Sequence, residues 1–209
     1  SVLREHAPIL AHATSHVGDP QVRHRGTIGG SIAHGDPASD LPAVLLALGA
    51  TLVATGPDGT REIAVDDFFA GFLETALAPT ELLTEIRVPK VSGAGWSFQK
   101  FNRRAQDWAI VGVACVHQAG RTGIGLVNMD TRPVRAAAAR VGLTNMGSVP
   151  VRASATEAAL AGADPGEIGR AADAAAEGTD PPADLSARPD YRQHLARVLT
   201  GRALAEATG

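Results

Sequence analysis

Between Val2 and Val17 the residues Val2, Leu3, His6, Ile9, Leu10, Ala13 and Val17 recur at three- and four-residue steps, which predicts a short amphipathic helix running through Pro8. Gly18-Asp19-Pro20 ends it. A second helix is predicted from Leu41, Val44, Leu45 and Leu48, with Ser39 or Asp40 placed to cap its start and Gly49 its end. The period then changes to two. TLVAT at 51–55 and TREIAV at 60–65 alternate on either side of GPDG, which predicts a β-hairpin. ELLTEIRVP at 81–89 reads as a further strand, and Pro89 with SGAG at 92–95 marks a domain border.

Beyond that border WSFQKFNRR (96–104) and AIVGVACVHQ (109–118) read as strands joined by the polar AQD, and GIGLVNMD (123–130) or RVGLTNMG (140–147) supply one or two more. Ala136–Ala139 have helical propensity, but their glycine-rich and β-branched flanks favour a strand. From Ala153 the chain turns alanine-rich and helical. The helical segments are SATEAALAG, then DPGEIGRAADAAAEG opened by Asp164 and Pro165, then YRQHLARVLTGRALAEA after the connector TDPPADLSARP. Strands therefore precede helices, without regular βαβ alternation. This order predicts an α+β architecture with a first unit at 1–90 and a second at 91–209, the latter an antiparallel sheet carrying a helical bundle.

At 209 residues the chain is long enough to bury one large core or two smaller ones. A formal charge of -3 lacks the basic footprint of a nucleic-acid binder, so no nucleic-acid partner is expected. No apolar run approaches the ~20 residues of a membrane span. The only cysteine, Cys115, sits in the apolar run AIVGVACV and reads as a packed core thiol, in keeping with a reducing, cytoplasmic setting.

The stretch RGTIGGSIAHGDPASD at 25–40 concentrates candidate chemistry. Consecutive glycines permit positive φ and let main-chain N–H groups converge on an anion; an ordinary Gly-Gly turn is the plainer reading. Thr27 and Ser31 add hydroxyls, and Asp40 begins a helix whose first-turn amides favour negative charge. The spacing is neither GxGxxG nor GxxxxGK[ST]. Asp36 and Asp40 precede that helix, where capping is the simpler role. Five histidines (6, 12, 16, 24 and 34) lie close in sequence, but only His12 and His16 have a ligand-like i, i+4 spacing, and no HExxH or cysteine partner accompanies them.

QVRHRGTIGGSIAHGDPASDLPAVLLALGA closely resembles the second flavin-binding motif of the FAD-carrying medium subunit of molybdenum hydroxylases, the carbon monoxide dehydrogenase and xanthine dehydrogenase family. ELLTEIRVP, FQKFNRRAQDWAIVGVA, GLTNMGSVPVRASATEAALAG and DYRQHLARVLTGRAL resemble the same subunit in the same order, so the likeness covers nearly the whole chain. It implies the second lobe of a two-lobed FAD-binding domain, followed by that subunit's C-terminal domain. Thr27, Gly29, Gly30 and Ser31 would cradle the FAD diphosphate, and His34 joins the same candidate set. Asp40 would accept hydrogen bonds from the cofactor as well as, or instead of, capping its helix. Leu82 and Leu83 match positions that line the cofactor cleft, with plain core packing as the alternative. Lys100 matches a lysine near the flavin ring, against the reading of a solvated strand lysine. Trp108 matches an aromatic beside the flavin, against a core tryptophan.

The resemblance implies an oxidoreductase subunit that passes electrons from iron–sulfur clusters to an external acceptor. The molybdenum cofactor is expected on a large partner subunit and the 2Fe-2S clusters on a small one. Two departures stand out. His24 occupies a position where the family has asparagine, and the glycine-rich AGG(H/Q)S-like motif of the first lobe is missing from this sequence, which opens with Ser1. The expectation is therefore a fragment, a truncated product or half of a split flavoprotein. It has an incomplete FAD site and no activity alone, and a flavin-free interaction module of the same fold is the alternative.

Overall fold

Pro8 divides the first predicted helix in two. A proline inside a helix removes an N–H and pushes the preceding residue out of the helical region, and Ala7 accordingly adopts φ -143°. The computed structural model, which describes residues 2–117, 121–122, 126–127, 139–161, 163 and 167–209, contains α1 (Val2–His6) and α2 (Pro8–Ser15) in place of one helix. Gly18-Asp19-Pro20 does more than end this segment. Asp19 caps a new helix, α3 (Pro20–Arg25), its Oδ1 accepting the Val22 N–H at 2.8 Å while Pro20 takes the first helical position.

The glycine stretch is helical too. Thr27 is the N-cap of α4 (Ile28–His34), its hydroxyl accepting the Gly30 N–H at 3.0 Å, and Gly29 and Gly30 lie in the first turn. Neither glycine uses the positive φ open to it, and the pair forms a helix start where the sequence reads as an open loop or a Gly-Gly turn. Next comes α5 (Asp40–Leu48), buried at every position. Neither Ser39 nor Asp40 caps it through its side chain. Asp36 instead organises the approach, its carboxylate accepting the Ala38 N–H at 2.8 Å and its carbonyl the Ser39 N–H at 3.0 Å.

The predicted hairpin forms as β1 (Thr51–Gly56) and β2 (Gly59–Ala64), antiparallel and in register from Thr51 with Ala64 to Gly56 with Gly59. A 3-10 turn at Val65–Asp67 leads into a small hairpin that the sequence pattern did not reveal, β3 (Phe69–Gly71) and β4 (Glu74–Thr75). β5 (Leu82–Arg87) completes a sheet of order β2-β1-β5. β6 (Gly95–Phe101) and β7 (Val111–His117) follow. A short pair comes next, β8 (Arg121–Thr122) and β9 (Leu126–Val127). After it lie β10 (Ala139–Thr144) and β11 (Val151–Arg152). The second main sheet is antiparallel with order β11-β10-β7-β6. Most of GIGLVNMD, Ala136–Ala138 and the Asp164-Pro165 helix start lie outside the described residues.

The C-terminal helices are α6 (Ser154–Leu160), α7 (Ile168–Ala171) and α8 (Pro189–Thr208). A 3-10 stretch at Ala172–Ala176 follows α7. The fold is thus α+β with antiparallel sheets.

β7 sends alternate side chains into two cores. Ala114 and Val116, with Phe98 of β6, join α2, α5 and the first sheet in one core; Val111, Val113 and Cys115 join α6, α7 and α8 in the other. Two glycines permit these layers to touch. A Cβ on Gly142 of β10 would strike the Ala43 carbonyl of α5, and one on Gly95 of β6 would strike the Ala207 carbonyl of α8. Cys115 is a packed core thiol, and burial, with Glu157 adding to it, pushes its pKa up to about 12.

Candidate cofactor cleft

The start of α4, the start of α5, the end of β6 and the loop leading to β7 converge on a cleft of about 590 Å³. Its lining includes a buried ion pair. Lys100, near the end of β6, donates to Asp40 Oδ2 at 2.7 Å and to the His16 carbonyl at 3.1 Å. The two side chains are only 7% and 6% exposed, so Lys100 is not a solvated strand lysine and the Asp40 carboxylate is not a helix cap. Burial raises the Asp40 pKa, opposed by the hydrogen bond and charge of Lys100 and by His16.

The other oxygen, Asp40 Oδ1, is buried without a hydrogen-bond partner. A buried carboxylate oxygen left unpaired is costly unless something donates to it. Asp40 lines the cleft, so a ligand hydroxyl or N–H that reached this oxygen would satisfy it.

The α4 segment contributes Thr27, Ile28, Gly30, Ser31 and His34 to the lining. The first N–H groups of a helix have no intrahelical acceptor, and Thr27 satisfies only that of Gly30. This leaves the Ile28 and Gly29 amides without an intrahelical partner. Gly29 does not itself line the cleft, and a Cβ built there meets nothing within 4 Å.

Of the ten candidate residues, Thr27, Gly30, Ser31, His34, Asp40, Lys100 and Trp108 are brought together around this cleft. Trp108 is 62% exposed at its edge and is therefore no core tryptophan. Leu82 and Leu83 lie on β5, outside the lining: Leu82 is 72% exposed and Leu83 packs against the first core.

The sequence reading passed over α3, although Val22, Arg23 and Arg25 also line the cleft. Arg23 is fixed there by donating to the Val17 and Gly18 carbonyls at 2.8 and 3.1 Å. Asp19-Pro20 was the available signal, a capping residue followed by proline at the first helical position. Arg23 and Arg25 bring positive charge to the side of the cleft where α4 begins, which suits an anionic group.

His12 and His16 lie against each other at a tilt of 42° with ring centroids 4.4 Å apart, and His12 also packs against Trp96 at 5.3 Å. Burial and the neighbouring His16 hold the His12 pKa below its ordinary value, with Glu206 opposing.

A cleft with a basic side, a helix start and an unsatisfied carboxylate is the kind of site that holds a dinucleotide. The family model for the FAD binding domain in molybdopterin dehydrogenase matches residues 1–91, and that for the CO dehydrogenase flavoprotein C-terminal domain matches residues 96–207. The chain belongs to the family of FAD-binding medium subunits of molybdenum hydroxylases, of the carbon monoxide dehydrogenase type.

The carbon monoxide dehydrogenase medium chain of Hydrogenophaga pseudoflava is 37% identical over 97% of this chain and 68% of its own length. Subunit alpha of the 6-hydroxypseudooxynicotine dehydrogenase complex of Paenarthrobacter nicotinovorans is 34% identical over 98% of this chain and 67% of its own. Among solved structures, carbon monoxide dehydrogenase from Hydrogenophaga pseudoflava lacking the Mo-pyranopterin moiety superposes with TM-score 0.88 at 39% identity, covering 99% of this chain and 69% of that one. Quinoline 2-oxidoreductase from Pseudomonas putida 86 superposes at 0.83 and 30% identity, covering 99% and 68%. The chain thus spans about two thirds of the length of these relatives.

Proposed function

We propose that this chain is the flavoprotein component of a molybdenum hydroxylase complex, holding part of an FAD in the cleft and relaying electrons from a partner's iron–sulfur clusters to an external acceptor. The observation that carries the reading is the buried Asp40–Lys100 pair, with Asp40 Oδ1 left unsatisfied at the cleft.

In this reading Thr27, Ser31 and the Ile28 amide meet the diphosphate, Gly29 sits beside them in the first turn of α4 off the cleft lining, and Arg23 and Arg25 balance the charge. The bare wall at Gly30 allows close approach, and His34 lines the same side. Asp40 Oδ1 accepts from a cofactor hydroxyl or N–H, and Lys100 orients that carboxylate through Oδ2. Trp108 flanks the planar ring. Leu82, exposed on the strand against which α4 packs, and its neighbour Leu83 serve the part of the cofactor beyond this cleft.

FAD, when bound, supplies the redox chemistry; the chain positions it and controls access to it. No residue here makes or breaks a substrate bond, so the chain alone has no substrate-oxidising activity. Residues 1–90 form the second FAD lobe and 91–209 the C-terminal domain. A large molybdenum-binding subunit and a small subunit with 2Fe-2S clusters complete the assembly, in the cytoplasm. Anaerobic addition of substrate to the natural complex tests the relay: flavin absorbance should bleach and return with acceptor. A complex free of flavin would leave only a structural module of the same fold.

A further inference from the structure

The two sides of the cleft are tied to one residue outside it. Asn145 follows β10 and adopts φ +60°, a left-handed conformation that asparagine tolerates better than other side-chain-bearing residues. Its main-chain N–H donates to the Pro37 carbonyl at 2.9 Å, and its side-chain Nδ2 donates to the Ala109 carbonyl at 3.0 Å. Pro37 lies two residues before Ser39 and three before Asp40, both of which line the cleft; Ala109 directly follows Trp108, which lines it from the loop between β6 and β7. Thr144 adds a long contact from its hydroxyl to the Ser39 carbonyl at 3.5 Å.

The loop carrying Trp108 has few other anchors. Ile110 N–H closes its base on the Phe101 carbonyl at 2.7 Å, and the buried Arg192 donates to the Ile110 carbonyl. Within the loop, Asp107 N–H and the Asn102 side chain both bond to the Arg104 carbonyl, at 3.0 and 2.6 Å, contacts that do not reach across the cleft.

We propose that Asn145 is a positioning residue that sets the spacing between the Asp40 wall and the Trp108 loop, and through it the affinity for the cofactor; the affinity half of this statement rests on the proposed FAD role of the cleft. The chemistry is specific. Because Ala109 presents a carbonyl oxygen, residue 145 must offer a donor there, and because its φ is positive it must tolerate the left-handed region. Glycine meets only the second demand. Aspartate tolerates the backbone but turns an acceptor toward an acceptor until it is protonated.

The experiment uses the full 209-residue chain carrying Trp96→Phe, so that Trp108 is the sole tryptophan. Time-resolved anisotropy of Trp108 without flavin reads the loop, and FAD titration reads the site. In Asn145→Gly the fast local motion of Trp108 should grow and FAD affinity fall about tenfold, the scale of one lost hydrogen bond, while the unfolding temperature shifts little. Asn145→Asp should behave like Asn145→Gly at about pH 8 and recover toward the parent only as pH falls to about 4, where the carboxyl regains a donor, whereas Asn145→Gly shows no recovery. A purely structural role would move unfolding temperature in both variants without that pH-dependent rescue. Unchanged Trp108 motion in Asn145→Gly overturns the positioning role. Failure of the parent chain to bind FAD is what an incomplete site gives, and the anisotropy comparison then decides the positioning by itself.

Discussion

Asp40 has two oxygens with different surroundings, and the difference yields measurable consequences. Oδ2 is held by Lys100, while Oδ1 is buried and unsatisfied. Replacing Asp40 by Ala strands the Lys100 ammonium among buried groups, which should cost about 3 kcal/mol of stability by denaturant unfolding. The group should also leave a pH signature. Its folded pKa lies above its ordinary value of 3.8, so the native chain keeps a proton that the unfolded chain releases. This contribution to stability is present below that ordinary value and is lost as pH rises through the folded value. Asp40→Asn cannot titrate and should flatten that slope in thermal unfolding followed across acidic pH. Little of this was legible in the sequence. The string DPASD suggests a cap equally well, and Lys100 is sixty residues away. Only folding shows that the carboxylate is claimed by a strand lysine.

At the scale of elements, the reading failed where local chemistry and periodicity disagreed. Val2–Val17 keeps a helical period across Pro8, but the ring blocks the hydrogen bond that the period implies, and two helices result. Gly29 and Gly30 suggested a loop by propensity, yet Thr27 starts a helix over them because its hydroxyl satisfies an otherwise orphaned amide. The β1–β2 hairpin was legible because turn and alternation agreed. β3 and β4 span only three and two residues, too few for a period to register.

Two element-level predictions follow from the same packing. Gly142→Ala places a methyl against the Ala43 main chain, which cannot rotate away, so the loss should reach about 3 kcal/mol, readable in urea unfolding. Arg61 of β2 bonds Glu81, just before β5, at 2.7 and 2.8 Å. Those bonds, with the Ala78 N–H, pull the Glu81 pKa from 4.5 to about 2. A carboxylate held low stabilises the fold above its ordinary value and loses that effect as pH falls through the folded one. The unfolding-temperature gap between the parent and Glu81→Gln should therefore narrow as pH drops from 4.5 toward 2.

Across the whole molecule, the second sheet is the joint. It carries α5 on one face and α8 on the other, so the border read at Pro89 separates stretches of sequence that pack against a shared layer. Composition could not reveal this, because it depends on which faces of β7 and β10 meet which helices. The same arrangement assembles the cleft: α3, α4 and α5 come from before the border, Lys100 and Trp108 from after it. The most direct test is the flavin content of the natural complex, compared with one carrying Gly30→Leu. A Cβ at Gly30 meets only the Thr27 hydroxyl, at 3.0 Å, and Gly30 lines the cleft, so the fold should survive while the cleft wall is filled. The account predicts about one FAD per parent chain and near-complete loss in the variant, with the two unfolding at the same temperature once both are stripped of flavin. A flavin-free parent complex, or equal flavin in both, would contradict it.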